Sequence, residues 1–355
     1  MVENAFDSLQ NVSDLRRRIQ ISFVSEDGTP EAGIDGGGLF KSFIDLFGRE
    51  AFDPIRGFFH NTSLNLLLPN AASALINDRH MEYFNFFGKM LGKAIFEGIV
   101  VEPQFSGIFL NHLLGRENHV DDLQYLDTTM YNSIMSLKIL SNSELVALGL
   151  TFEIEYNSYG HVVSVPLVPG GGNLLVDQHN VDFYVNRYAK HKLHEEIKHQ
   201  SNAFLHGFRQ LIPEDWIRLF NLHELQVLIS GHKRPIDIQD MRRHCSYGSG
   251  YHDSQPYIQM FWDIVSDMTL DEQEDFLKFV TSVPRLPLLG AKSLNPGFAI
   301  QRVPSHYPGE ESQASRLPTA STCANLLKLP QYESREELKG KLLLAIRNTN
   351  TFEFS

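Results

Sequence analysis

Residues 316–330, RLPTASTCANLLKLP, set one of the chain's two cysteines, Cys323, between a run of small polar residues and a short apolar segment that reads as a strand. Leu317 and Pro318 anchor and stiffen the approach, while Thr319, Ala320, Ser321 and Thr322 are small. A segment of that composition reads as an open loop, with its thiol in reach of a large partner. The competing reading makes Cys323 a small hydrophobe in the core, the ordinary fate of a free cysteine. Cys245, between RRH and SYG, has no packed anchor and is expected to be an exposed bystander.

Outward from that stretch, the C-terminal part reads as a compact α/β domain. GFAIQRV (297–303) and NLLKLP (325–330) predict strands flanking the polar loop 305–323. YIQMFWDIVSDM (257–268) predicts an apolar helix, and Thr269 with Glu272 forms a capping box for the next one, which Pro284 and Pro287 stop. Ser334 and Glu337 open a final helix in the same way. Upstream, HELQVLISGHKRP ends a helix at Gly231 with Pro235 just beyond, a stop signal that also marks a candidate hinge over 230–235.

The N-terminal part opens with a short amphipathic segment, after which Ile19, Ile21 and Phe23 alternate with polar neighbours as in a half-buried strand. A glycine cluster then feeds a helix whose Leu39, Phe40, Phe43, Leu46 and Phe47 share the core face. MEYFNFFGKMLGKAIFE (81–97) predicts a central helix in which Gly88 and Gly92 permit close packing. Residues from about 120 to 185 read as a small α+β insertion: a helix near MYNSIMSLKIL, two strands, and the turn PGGG. A long polar helix over 181–211 returns the chain to the main body.

With 355 residues, 42% hydrophobic and 21% charged, the chain is long enough for two domains or one divided domain. No apolar run approaches the ~20 residues of a membrane-spanning helix, and the first residues lack the layout of a signal peptide. A cytoplasmic or nuclear location, with both thiols free, is therefore expected. The net charge of −12 argues against nucleic acid as a partner. Three tempting sites fail on spacing. GKMLGKA has a phosphate loop's lysine but one residue too few between Gly88 and Gly92, and Ala94 replaces the metal-binding hydroxyl. His194 and His199 of HEEIKH point apart on a helix and are expected to be solvated surface residues. The GSG around Ser249 lacks the spacing of a nucleophile elbow.

LPTASTCANLLKLP resembles the active-site region of the HECT family of ubiquitin ligases. EAGIDGGGLFKSF, YFNFFGKMLGKAIFEG, ELQVLISG, FLKFVTSVPRLPLLG and the final TFEFS match signatures of that family in its order, across essentially the whole chain. LPTASTC, NLLKLP and GKMLGKAIFEGIVVE are most similar to the subgroup containing the 3B and 3C ligases.

The resemblance implies an α+β, bilobal fold: an N-lobe over 1–229, a hinge over 230–235 and a C-lobe over 236–355, with the insertion at about 120–185 binding the ubiquitin-conjugating enzyme. It implies that Cys323 accepts ubiquitin as a thioester and yields it to lysines of protein substrates, without a cofactor or metal. Thr322 would assist by hydrogen bonding, since Ser321 stands where many members carry histidine. Phe352 would orient the lobes, and Arg285 would contact donor ubiquitin or the loop, unless it forms a surface or interlobe salt bridge. Ile134, Leu137 and Tyr184 would meet the conjugating enzyme, and Tyr83 would belong to a noncovalent ubiquitin surface. The chain begins close to where the family domain begins, so a longer parent protein is expected. Two other readings remain open: a cysteine hydrolase with His306 or His252 as partner, and a non-catalytic interaction module with Cys323 buried.

Overall fold

The computed structural model describes residues 1–12, 14–22, 38–158, 161–231, 234–287, 289–305 and 316–351. Along the chain these form α1 (Val2–Leu9), α2 (Gly38–Ala51), the hairpin β1 (Phe59–Asn61) and β2 (Leu67–Pro69), α3 (His80–Phe96), α4 (Gly107–Leu114), α5 (Leu123–Leu126), α6 (Thr128–Ser136) and α7 (Asn142–Ala147). Next come β3 (Glu153–Ser158), β4 (His161–Pro166), α8 (Val181–Lys190), α9 (Lys198–Phe208), α10 (Glu214–Ile217) and α11 (Leu222–Ser230). The C-terminal part holds α12 (Ile238–Arg243), β5 (Ser246–Gly248), α13 (Pro256–Ser266), α14 (Leu270–Thr281), β6 (Ala299–Val303), β7 (Thr319–Ser321), β8 (Leu326–Pro330) and α15 (Arg335–Thr351). The α+β class expected from the sequence is the one observed.

Packing divides the chain into two compact units: Met1–Glu50 with Met90–Pro103 and Gln226–Ser355, and Ala51–Lys89 with Gln104–Leu225. The units differ from a 1–229 and 236–355 division because the first fifty residues and the end of α3 pack with the C-terminal part. Val101 N–H donates to the Ile229 carbonyl at 2.9 Å, one of the bonds behind that grouping.

The middle unit is built on phenylalanines. Phe52, Phe59, Phe87, Phe105, Phe109 and Phe204 meet mostly edge-on or tilted, with ring centroids 5.0–6.5 Å apart, the geometry their quadrupoles favour. Its small subdomain has its own core, where Phe152, Ile154, Leu167, Val176, Val181 and Val185 close beneath the antiparallel β3–β4 hairpin. The long helix expected over 181–211 is interrupted by a widened turn at His191–Glu195. That turn frees the Leu193 carbonyl from the helical ladder, and His112 Nε2 donates to it at 3.1 Å. His194 is likewise half-buried, accepting from Asn118 N–H at 3.0 Å, rather than solvated.

The other unit centres on a four-stranded sheet of order β5-β6-β8-β7, with β5, β6 and β8 parallel and β7 antiparallel to β8. Ile300, Leu327 and Leu329 face Phe261, Trp262, Phe276 and Phe298 in one core. Both halves of the Thr269–Glu272 capping box form, at 3.1 and 3.2 Å. On α2, Phe40, Phe43, Ile44 and Phe47 are buried while Leu46 is exposed. Residues 19–22 are not a strand: Ile19 and Ile21 are half-buried, with no strand partner among the described residues, and Phe23 lies outside them.

Candidate active site

Cys323 sits in the turn joining β7 to β8. Ser321 pairs with Leu326, and between them Thr322–Ala324 makes one turn of 3-10 helix. Asn325 closes that turn at φ 47° and ψ 42°, its N–H donating to the Thr322 carbonyl at 3.1 Å. Asparagine is among the few residues other than glycine that adopt this left-handed conformation readily. Thr322 is half-buried and Ala324 exposed, so the turn meets solvent.

The open loop expected around the cysteine is thus a hairpin turn on the edge of the sheet. Its approach is fastened: Arg316 N–H donates to the Ser305 carbonyl at 2.7 Å, and Tyr332 Oη–H to the Arg316 carbonyl at 2.5 Å. Pro318 is buried and Ala320 packs on the core. Helix α14 packs against both β7 and the turn. Small residues at 319–321 therefore serve pairing with β8 as much as access, a double use that composition does not reveal.

Cys245 is half-buried against the C-terminal core, rather than exposed. Burial pushes its thiol up to about 12, which leaves almost no thiolate at neutral pH. Arg285 is largely buried, and its Nε donates to Glu274 Oε1 at 3.1 Å. The bridge is largely buried and lies within one unit, so it is neither the surface nor the interlobe pair of the second expectation.

The apolar residues chosen for partner contacts lie inside the molecule. Ile134, Leu137 and Tyr184 are 9%, 7% and 4% exposed and build the subdomain's core. Burial pushes the Tyr184 hydroxyl up to about 12. Tyr83 is 8% exposed, its ring against Phe58 and Phe87 at 5.2 and 5.9 Å. The resemblance, which named these four, fixes their place along the chain and not which way each side chain faces. Ile139, Leu148, Leu174 and Phe183 are among the exposed apolar residues of the same subdomain. A 3.0 Å ion pair between Lys138 and Asp182 holds the segment bearing Ile139 beside the start of α8, which bears Phe183.

Phe352 and His306 lie outside the described residues. His252 is exposed, its Nδ1 2.9 Å from Ser254 Oγ. Among the described residues, no three His, Cys, Asp or Glu side chains group to hold a metal ion, and no helix is long and apolar enough to cross a membrane.

The family model for the HECT domain (ubiquitin-transferase) matches residues 45–355. The chain is 43% identical over its whole length to E3 ubiquitin-protein ligase UPL6 of Arabidopsis thaliana, covering 34% of that protein. It is 38% identical to human ubiquitin-protein ligase E3B, again over the whole chain and 36% of the relative. It is 36% identical to E3 ubiquitin-protein ligase HUL5 of Saccharomyces cerevisiae, with 38% of that protein covered. The chain thus spans about a third of the length of the curated relatives it matches. A cysteine-bearing hairpin turn on a mixed α+β framework, and a family match over most of the sequence, make this chain a member of the HECT-domain family.

Proposed function

We propose that this chain takes ubiquitin from a conjugating enzyme as a thioester on Cys323 and passes it to lysines of protein substrates. The observation that carries the reading is the turn at 322–325, which sets Cys323 at the edge of the sheet between half-buried Thr322 and exposed Ala324, in a HECT-family chain. In the first step the Cys323 thiolate attacks the thioester carbonyl; a new carbon–sulfur bond forms and the conjugating enzyme's thiolate leaves. In the second, a deprotonated lysine amine attacks the same carbonyl, the isopeptide bond forms, and the Cys323 thiolate departs. Exchange between thioesters is nearly balanced, so the first step asks for orientation and a thiolate more than for a strong base.

In this reading Thr322 and Phe352 support the transfer, and the hinge at 230–235 lets the C-lobe, 236–355, carry its cysteine between partners. Gly231, at φ 73° after α11, favours that hinge placement. The subdomain at about 120–185 receives the conjugating enzyme through exposed Ile139, Leu148, Leu174 and Phe183, since buried side chains have no free surface to offer. The location is cytoplasmic or nuclear, where thiols stay reduced.

The test is incubation with ubiquitin, activating enzyme, ATP and a panel of conjugating enzymes, followed by a non-reducing gel. An adduct that thiol reductant removes, lost in Cys323→Ala and retained in Cys245→Ala, is the expected result. A folded protein that forms no adduct with any conjugating enzyme overturns the reading. Release of free ubiquitin from conjugates without a conjugating enzyme would instead favour a hydrolase, which the relatives, all ligases by name, do not support.

A further inference from the structure

Asn325, two residues after the cysteine, is fully buried, and each of its polar groups is used. Its N–H donates to Thr322, its carbonyl accepts from Ala299 N–H at 3.0 Å, and its Nδ2 donates to the Pro296 carbonyl. Its remaining acceptor, Oδ1, takes a hydrogen bond from Lys41 Nζ at 2.6 Å. Lys41 belongs to α2, far away in sequence, and is itself only 8% exposed. The same helix is fastened a second time: Arg49 Nη2 donates to the Ser282 carbonyl at 3.2 Å, at the C-terminal end of α14. Because α14 packs on the cysteine turn, the turn is held by α14 on one side and tied through Asn325 to α2.

We infer that Lys41 and Asn325 are a pair of positioning residues for discharge of the Cys323 thioester, fixing the turn that carries the thioester in the arrangement where α2 meets it, a bond made for that step and released when the C-lobe swings. The inference rests on the reading of Cys323 as the ubiquitin carrier. A bond from an ammonium to an amide oxygen is stronger than one between neutral groups, and burial leaves neither partner water to fall back on. The left-handed backbone at 325 follows the side chain that this bond holds, so loosening Asn325 releases the end of the one-turn helix carrying Cys323. Attack on a thioester depends on sub-ångström placement, which makes such loosening visible in the rate.

The test uses the full chain in a Cys245→Ala background. Lys41→Met keeps the aliphatic stem and removes the donor; Asn325→Gly keeps the left-handed backbone and removes the acceptor; Asn325→Asp keeps an acceptor for Lys41. Amide hydrogen exchange over 296–329 reads the fastening directly, without ubiquitin. Single-turnover discharge of the Cys323 thioester to free lysine reads the positioning. Lys41→Met and Asn325→Gly are each expected to speed exchange at Asn325 and Ala299 and to slow discharge at saturating lysine by about tenfold, with the KM for the charged conjugating enzyme unchanged. The double variant should be no slower than the slower single, and Asn325→Asp, which keeps the Lys41 acceptor but loses the donor to Pro296, should discharge faster than Asn325→Gly. Unchanged exchange in folded Lys41→Met, additive losses, or faster exchange with unaltered discharge would each overturn the pairing. A wild type that never forms the thioester instead sinks the ubiquitin-carrier reading, while the exchange arm still reports whether the two residues fasten the turn.

Discussion

Gly88 of α3 and Gly207 of α9 face one another's backbones: a β-carbon on Gly88 would lie 1.9 Å from the Phe204 carbonyl oxygen, and one on Gly207 would lie 1.8 Å from that of Asn85. The two helices therefore cross at a distance that only glycine allows, and the obstacle on each side is backbone, which does not rotate away. Gly88→Ala and Gly207→Ala should each destabilise the middle unit by about 2–4 kcal/mol, at or above the usual cost of an overpacked core. Thermal unfolding checks this. A loss under about 1 kcal/mol in both would mean that the helices separate freely.

The glycine pair also shows what the sequence makes legible. Two glycines four apart in an apolar helix announced a close crossing, but only one of the actual pair, Gly88, was visible, because Gly207 lies in a polar stretch without periodic emphasis. Caps were readable for a similar reason: Thr269 and Glu272 act within four residues, and local chemistry fixes them. Strands β5 and β7 escaped notice, as three-residue strands carry too little alternation to stand out. The Cys323 segment reads as an open loop and not as a hairpin, since its closing residue, Asn325, is held by Lys41, and a contact of that span leaves no mark in either local sequence. Ile134, Leu137, Tyr184 and Tyr83 came from the resemblance, which places a residue along the chain but does not say which way its side chain faces; all four are buried.

That contrast separates two kinds of residue in the small subdomain. Ile134→Ala and Leu137→Ala should lower its stability by about 2–5 kcal/mol through cavity formation. Phe183→Asp and Leu148→Asp change exposed positions and should leave the melting temperature within a degree or two, while raising the KM for charged conjugating enzyme at least tenfold. Measuring the melting temperature and the loading rate on the same preparations decides the matter. Normal loading by both exposed variants would move the docking surface elsewhere.

Stability should decline on both sides of neutrality, from two different groups. Burial lowers the His112 imidazole below its ordinary value, the Leu193 carbonyl offsets this in part, and nearby His194 lowers it further. Unfolding therefore takes up a proton as pH falls through ~6.5, and the stability from a neutral His112 is lost below that point. Cys245 is the mirror case: its folded value near 12 lies above the ~8.5 of an unfolded thiol, so unfolding releases a proton above that pH. Chemical denaturation between pH 5 and 9.5 should show the maximum between, with alkaline loss approaching ~1.4 kcal/mol per pH unit per group. Cys245→Ala should make the limb from 8.5 to 9.5 shallower without abolishing it, because buried tyrosines, raised in the fold, begin to ionise in the unfolded chain over the upper part of that range. An unchanged limb would mean that the thiol is hydrated.

Gly231 ends α11 with two constraints that a side chain cannot meet together. Its φ is 73°, and a β-carbon there would lie 2.6 Å from the Leu286 carbonyl oxygen and 2.8 Å from the Arg285 β-carbon. Its N–H also donates to the Val227 carbonyl at 2.8 Å, so proline would lose a bond as well as require the wrong φ. Left-handed backbone alone costs alanine ~1–2 kcal/mol, and displacing residues 285–286 adds ~1–3 kcal/mol. Asparagine tolerates the backbone but not the contact, so it tells the two terms apart. Both Gly231→Ala and Gly231→Asn should destabilise the unit containing the cysteine turn, with Asn recovering no more than the backbone share. Full recovery in the Asn variant would show that segment 285–286 yields without cost, leaving φ as the one requirement at the proposed hinge.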